Sequence, residues 1–135
     1  MMKQPNVVHL HTGGGQPRLM NPSAPHARIY AEWRHLDAFK SLSPLQRVIL
    51  DDILIDFTRV AGNETRLTCK GVMKRYRVGH TKARDAIAGL EDRGWIERIG
   101  LSPGPTGQAG GLYRILCLTA QGKPVFGRYY SWMAE

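Results

Sequence analysis

Between Lys74 and Arg84 the chain places Lys74, Arg75, Arg77, Lys82 and Arg84 with no Asp or Glu among them. The acids Asp85, Glu91, Asp92 and Glu97 follow only afterwards, so charge is segregated along the segment. A dense local positive charge has a polyanion as its complement. Residues of these types are suited to nucleic acid, because ammonium and guanidinium groups neutralise phosphates and a guanidinium can fork onto a guanine. Lys82 and Arg84 are the first candidates for reading DNA, with Arg84 suited to guanine. Thr81 suits a thymine methyl or a phosphate, and His80 lies beside it. Lys74, Arg75 and Arg77 are expected to hold the backbone.

Other chemistries find less support. His80 is the one histidine in the centre of the chain, and no Ser or Cys nucleophile is evidently paired with it. Asp51, Asp52 and Asp56 fall on what should be a solvated helix face. Since hydrolysis by a nucleophile needs a base and an orienting group as well, no catalytic set emerges and the chain is not expected to be an enzyme. The runs Gly13-Gly14-Gly15 and 104–111 lack the Gly-Lys-Ser/Thr ending of a phosphate loop. His9 and His11 fall short of a full metal ligand set. Cys69 and Cys117 form no Cys-x-x-Cys pair, which argues against a disulfide scaffold or thiolate zinc site and leaves them as small core residues. No cofactor is expected.

The whole chain has the same bias. Its 135 residues carry 19 Lys and Arg against 11 Asp and Glu, a net charge of +8. By block the charge is +3 over 1–42, −1 over 43–63, +4 over 64–99 and +2 over 100–135. A length of this order suits one globular domain with a single core. The longest apolar stretches fall well short of the roughly 18 to 20 residues that span a bilayer. Met1-Met2-Lys3-Gln4-Pro5 leads into no apolar signal region, so a cytoplasmic protein is expected.

The elements that must position the basic run are legible from periodicity. Residues 1–26, rich in Gly, Pro, Asn and His, read as a flexible arm. Ile29, Trp33, Leu36 and Phe39 recur at about helical spacing, predicting a short amphipathic helix over 27–41. Ser43-Pro44-Leu45-Gln46 carries a capping box and a first-position proline, so a helix begins there. Its apolar stripe is Leu45, Val48, Ile49, Ile53, Leu54, Phe57 and Val60, ending at Gly62 or Asn63. Thr65-Arg66-Leu67 reads as a short strand. Thr68 caps a helix through Tyr76 that directs Val72, Met73 and Tyr76 inward.

Arg77-Val78-Gly79 is a break, after which Ala83, Ala86, Ile87 and Leu90 define a helix lasting until Gly94. Burying those four turns His80, Thr81, Lys82, Arg84 and Asp85 outward. Trp95 to Ile99 alternates as a strand, 100–111 breaks it, and Leu112 to Leu118 resumes it, giving a hairpin with a long tip. That tip has no Lys or Arg, so Arg98 and Arg114 at the hairpin base are the expected phosphate partners there. Trp95 is read as a core residue where the helix meets the hairpin. Thr119 is a candidate cap for a C-terminal helix within the aromatic segment 119–135.

Three helices followed by a hairpin, over residues 43–118, resemble the winged-helix DNA-binding domain. The stretch from Tyr76 to Arg98, with its ending Leu90-Glu91-Asp92-Arg93-Gly94, is similar to the recognition-helix segment of GntR-type and MarR-type bacterial regulators. Leu118-Thr119-Ala120-Gln121-Gly122 is similar to the PadR and MarR arrangement that enters a dimerising helix. Gly79 stands where those families usually have Ser, and Lys82 where Thr is frequent, so the serine cap and its phosphate contact are missing. The resemblance implies an α+β, mostly helical winged helix with flanking N- and C-terminal helices. It also implies sequence-specific binding of double-stranded DNA by a bacterial, phage or plasmid transcription regulator. The alternatives are a replication-initiation factor using the same domain, or a protein-binding adaptor. A homodimer would use Trp33, Phe126, Tyr129, Tyr130 and Trp132, because so many large apolar groups must cover something and many regulators read paired half-sites.

Overall fold

The computed structural model describes residues 19–21, 24, 26–103 and 109–135. Most of the expected arm, with His9, His11 and Gly13-Gly14-Gly15, and the hairpin tip at 104–108 lie outside the described residues. The architecture is α+β, with five α-helices and one three-stranded antiparallel sheet. No helix among the described residues is long and apolar enough to cross a membrane.

The expected helix over 27–41 is instead two short pieces, a 3-10 helix Ala31–His35 and α1 Asp37–Lys40, separated by extended Leu36. Helical geometry explains the break. Trp33 and Phe39, six residues apart, would point about 120° from each other on a continuous helix. Both rings pack against Trp95, at 5.1 and 6.0 Å between centroids, and the kink brings them there. Ile29, counted in the same stripe, is exposed.

Helix α2, Pro44–Ile55, starts as its sequence dictates: the Ser43 side chain accepts from the Gln46 amide at 3.2 Å, and Gln46 Oε1 accepts from the Ser43 amide at 2.8 Å. It ends earlier than expected, at Ile55. The chain then turns through a Thr58–Gly62 bridge, with Val60 fully exposed rather than in the stripe and Val48 also largely exposed. The buried face is Gln46, Ile49, Leu50, Ile53 and Leu54.

Strand β1, Glu64–Leu67, leads into α3, Cys69–Tyr76, which is capped by Thr68 Oγ1 on the Gly71 amide at 2.9 Å. Helix α4, His80–Asp92, buries Ala83, Ala86, Ile87 and Leu90 as its spacing requires. Gly89 lets it sit close to α2, since a Cβ there would lie 2.1 Å from Gln46 Nε2. Two guanidinium groups satisfy carbonyls at its C-terminal end, Arg93 on Gly89 at 3.2 Å and Arg128 on Glu91 at 3.2 Å, the end where cations are favoured.

Strands β2, Ile96–Pro103, and β3, Ala109–Ile115, run further into the Gly/Pro segment than expected. Pairing continues to Pro103 opposite Ala109, with a register shift between Arg98 and Gly100. The sheet order β1-β3-β2 accounts for this, because β2 is an edge strand and an edge proline removes no required ladder bond.

The expected helix at Thr119 is a tight turn instead. The Gly122 amide donates to the Thr119 carbonyl at 2.9 Å, and Leu118 bridges Pro124. Only α5, Arg128–Ser131, is helical in this segment. That one turn lays Tyr129 flat on Trp95, 4.5 Å between centroids and 21° between planes. Trp95 is fully buried, its indole N–H donating to the Ala38 carbonyl at 3.0 Å. Trp33 and Tyr129 are each 2% exposed within their own chain, so neither is available to a second copy as expected. Trp132 is half-buried with the Arg93 guanidinium 4.9 Å from its ring centre.

Gly94 is the hinge of this arrangement, at φ +84° with space for a Cβ filled by the Tyr129 amide nitrogen at 2.5 Å. Gly94→Ala is therefore expected to lower unfolding free energy by about 2–3 kcal/mol in urea titration. Gly100→Ala, which meets nothing within 4 Å, should stay within about 0.5 kcal/mol of the parent. Equal effects at the two positions would refute the packing account.

Candidate nucleic-acid interface

Helix α3, the three-residue break and helix α4 form the surface that carries the basic run. Helix α3 ends on Arg77 in the left-handed conformation, φ 56° and ψ 51°, and the Val78 amide reaches back to the Met73 carbonyl at 3.3 Å. This closes the terminal carbonyls and turns the chain sharply into α4. Cys69 Sγ donates to the His80 carbonyl at 3.6 Å, joining the starts of the two helices. As the sequence departure implies, Gly79 supplies no side-chain cap to α4, and no acid occupies its first turn. The positive end of the helix dipole is thus unneutralised by its own first turn.

His80, Thr81, Lys82, Arg84 and Asp85 are all exposed, as expected from the buried set. At about 100° per residue, Thr81, Asp85, Ala88 and Asp92 form the stripe opposite the core. Lys82 and Arg84 flank that stripe on opposite sides, about 160° apart. They bracket a surface and do not form one cluster. Arg84 Nε lies 3.5 Å from Asp85 Oδ1, with both side chains more than 60% exposed, and such solvated pairs exchange partners at little cost.

The remaining expected residues divide. Lys74 and Arg77 are exposed and make no ion pair among the described residues. Lys70 has the same character and sits four residues before Lys74, one helical turn away on the same face. It was legible from that spacing and lies just outside the acid-free run. Arg75 reaches toward α2, with Nε 3.4 Å from the part-buried Asp52 and Nη1 3.9 Å from Asp56, while its own side chain stays 57% exposed. Asp52 also accepts the Tyr76 hydroxyl, so the acids of α2 are not simply solvated as expected; they fasten α3. Burial, reinforced by the Asp52 carboxylate, holds the Tyr76 phenol well above its ordinary range. Asp51 is half-buried with Oδ1 unpartnered, and burial raises its carboxyl as well.

Arg98 and Arg114 do not form a joint hairpin base. Arg98 is opposite Tyr113 and Arg114 is opposite Glu97, and neighbouring positions along a strand face opposite sides of the sheet. Arg114 also stands opposite Glu64 on its other flank and pairs with Glu97 at 3.9 Å. A cation set between two acids is a poor phosphate partner. Arg98 is exposed and makes no ion pair among the described residues.

Nucleophilic chemistry gains nothing from Cys117, which is fully buried and whose thiol burial pushes up to about 12. A cleft of about 210 Å³ between α2, β1 and α3 is lined by Asp52, Asp56, Arg75 and Tyr76, the groups already engaged with one another. The surface as a whole combines cations, a hydroxyl and an uncapped helix start. Comparison of the chain with protein-family models, curated proteins and solved structures gave no match.

Proposed function

We propose that the chain is a cytoplasmic winged-helix protein that binds double-stranded DNA sequence-specifically and regulates transcription. In this reading α4 is the recognition helix, α3 crosses the backbone and the β2–β3 hairpin is the wing. The observation that carries it is the exposed surface of α3, the break and the start of α4, where residues 69–84 include no Asp or Glu. There Lys70, Lys74, Arg77 and Lys82 make no ion pair among the described residues. A helix of this diameter fits the major groove, and the residues near its N-terminal end reach base edges.

The roles follow from position. Thr81 and Arg84 face the bases, and Lys82 holds a phosphate on the opposite flank. His80 stands at the positive end of the helix, where a backbone oxygen is also favoured. Lys70, Lys74 and Arg77 bind the phosphates of one strand. Asp85, beside Arg84, keeps the guanidinium oriented or accepts from a cytosine amino group. Arg98 is the wing's contribution.

Fluorescence anisotropy with a 30-base-pair duplex across a salt series tests the reading. The parent protein should show affinity falling steeply with salt, and Lys82→Ala/Arg84→Ala should bind at least about tenfold more weakly. Each phosphate contact removed flattens the log–log slope by about 0.9. Arg75→Ala should leave the slope unaltered while costing up to about 1 kcal/mol of stability, since its guanidinium serves Asp52 and Asp56. Absence of duplex binding at low salt would sink the proposal.

Arg77 gives a second, sharper test because its two roles oppose each other. A non-glycine residue in the left-handed region costs about 1–2 kcal/mol, so Arg77→Gly should raise the urea midpoint. The same change removes a phosphate contact, so DNA affinity should fall. If affinity does not fall, the assignment of Arg77 to the backbone contact is wrong; if the urea midpoint does not rise, the left-handed conformation is not the source of strain.

A further inference from the structure

The two ends of the described chain enclose a groove of about 310 Å³, between Tyr30–Trp33 on one side and Pro124–Tyr130 on the other. Its walls are aromatic: Tyr30 meets Trp33 edge-on at 5.2 Å, Trp33 meets Tyr129 at 6.0 Å and Phe126 meets Tyr130 at 4.6 Å between centroids. Phe126 is 72% exposed and Tyr130 41%, so ring surface remains uncovered. Among the described residues, Glu32 is the only charged group lining the groove. One of its oxygens accepts the Tyr130 hydroxyl at 3.2 Å, and it makes no ion pair among the described residues.

That combination has a definite complement. Aromatic faces carry the negative side of the ring quadrupole and attract a cation, and a neighbouring carboxylate adds to the attraction. In a chain of net charge +8, such a spot selects against the anions that the α3–α4 surface attracts. Apolar walls add affinity for a ligand with hydrocarbon or aromatic substituents, and the volume suits a ligand of fragment size. We propose that this groove binds a small lipophilic cation, an arylalkylammonium or quaternary ammonium ion. Its charge lies between Glu32 and the Phe126 and Tyr130 rings, and its apolar part lies against Tyr30. Tyr129 forms one wall while stacked on Trp95, so occupancy is reported by Trp33 and Trp95 fluorescence.

The test is titration of the full chain with benzyltrimethylammonium, and in parallel with phenylacetate and benzyl alcohol, followed by tryptophan fluorescence and calorimetry. Saturable binding of the ammonium ion is expected, with phenylacetate at least about tenfold weaker. Glu32→Gln and Phe126→Ala, both at exposed positions, should each weaken the ammonium ion about fivefold with the thermal transition unchanged. The proposal is overturned by equal binding of the three probes, by no saturation, or by affinity that Glu32→Gln leaves intact. A concentration-dependent dimer in sedimentation, abolished by Phe126→Ala, also overturns it, because the groove would then belong to a second copy of the chain.

Discussion

Trp95 is the residue on which the separate parts of the chain converge. It stands three positions beyond the end of α4 and directly before β2, and its ring is covered by Trp33 and Phe39 from the N-terminal segment and Tyr129 from the C-terminal one. Its indole N–H, which would be costly to bury alone, is taken by the Ala38 carbonyl. Aromatic pairs in edge-on and offset arrangements stabilise by about 0.5–1.5 kcal/mol beyond their area. Three rings on one side chain therefore hold the chain just beyond α4 from two distant segments at once. The short irregular pieces on either side of the sequence make sense as carriers of those rings. Regular helices in their place would aim the rings elsewhere.

Behind α4, a second and polar fastening sets α3. Asp52 of α2 receives both the Tyr76 hydroxyl and the Arg75 guanidinium, so the last turn of α3 is tied to the scaffold helix. This uses one cation of the basic run for architecture and leaves its neighbours for solvent or a partner. The same division runs through the sheet, where Arg114 is balanced by acids on adjacent strands and Arg98 is not. Net charge is thus a poor guide to function residue by residue. Arg75 and Arg114 pair with acids of other elements, whereas Arg84 pairs only with Asp85, its neighbour in sequence.

Elements with strong local signals were legible in the sequence. The Ser43–Gln46 capping box, the Thr68 cap, the Arg77-Val78-Gly79 break and the four-residue apolar set of α4 all depend on contacts within a few residues. The elements misread were those decided by distant partners. Leu36 is extended because Trp33 and Phe39 both seek Trp95, some sixty positions away in sequence. Residues 100–103 stay paired with 109–112, and the edge position of β2 that accommodates Pro103 is something local composition cannot announce. Thr119 looked like a helix cap, but its backbone serves a turn that sends Tyr129 back to the core. For the candidate site, exposure followed from the buried periodicity of α4, while the diversion of Arg75 and Arg114 needed the register of other elements.

The sheet order has a kinetic corollary. Strand β1 pairs with β3, so the ladder from Glu64–Arg114 to Leu67–Gly111 closes a loop that contains all of α3 and α4. Contacts within the two helices and their turn are local, whereas the ladder must meet the entropy of closing that loop. The ladder thus adds a long-range tie to the two the helix pair already has, Asp52 at the end of α3 and the Trp95 cluster beyond α4.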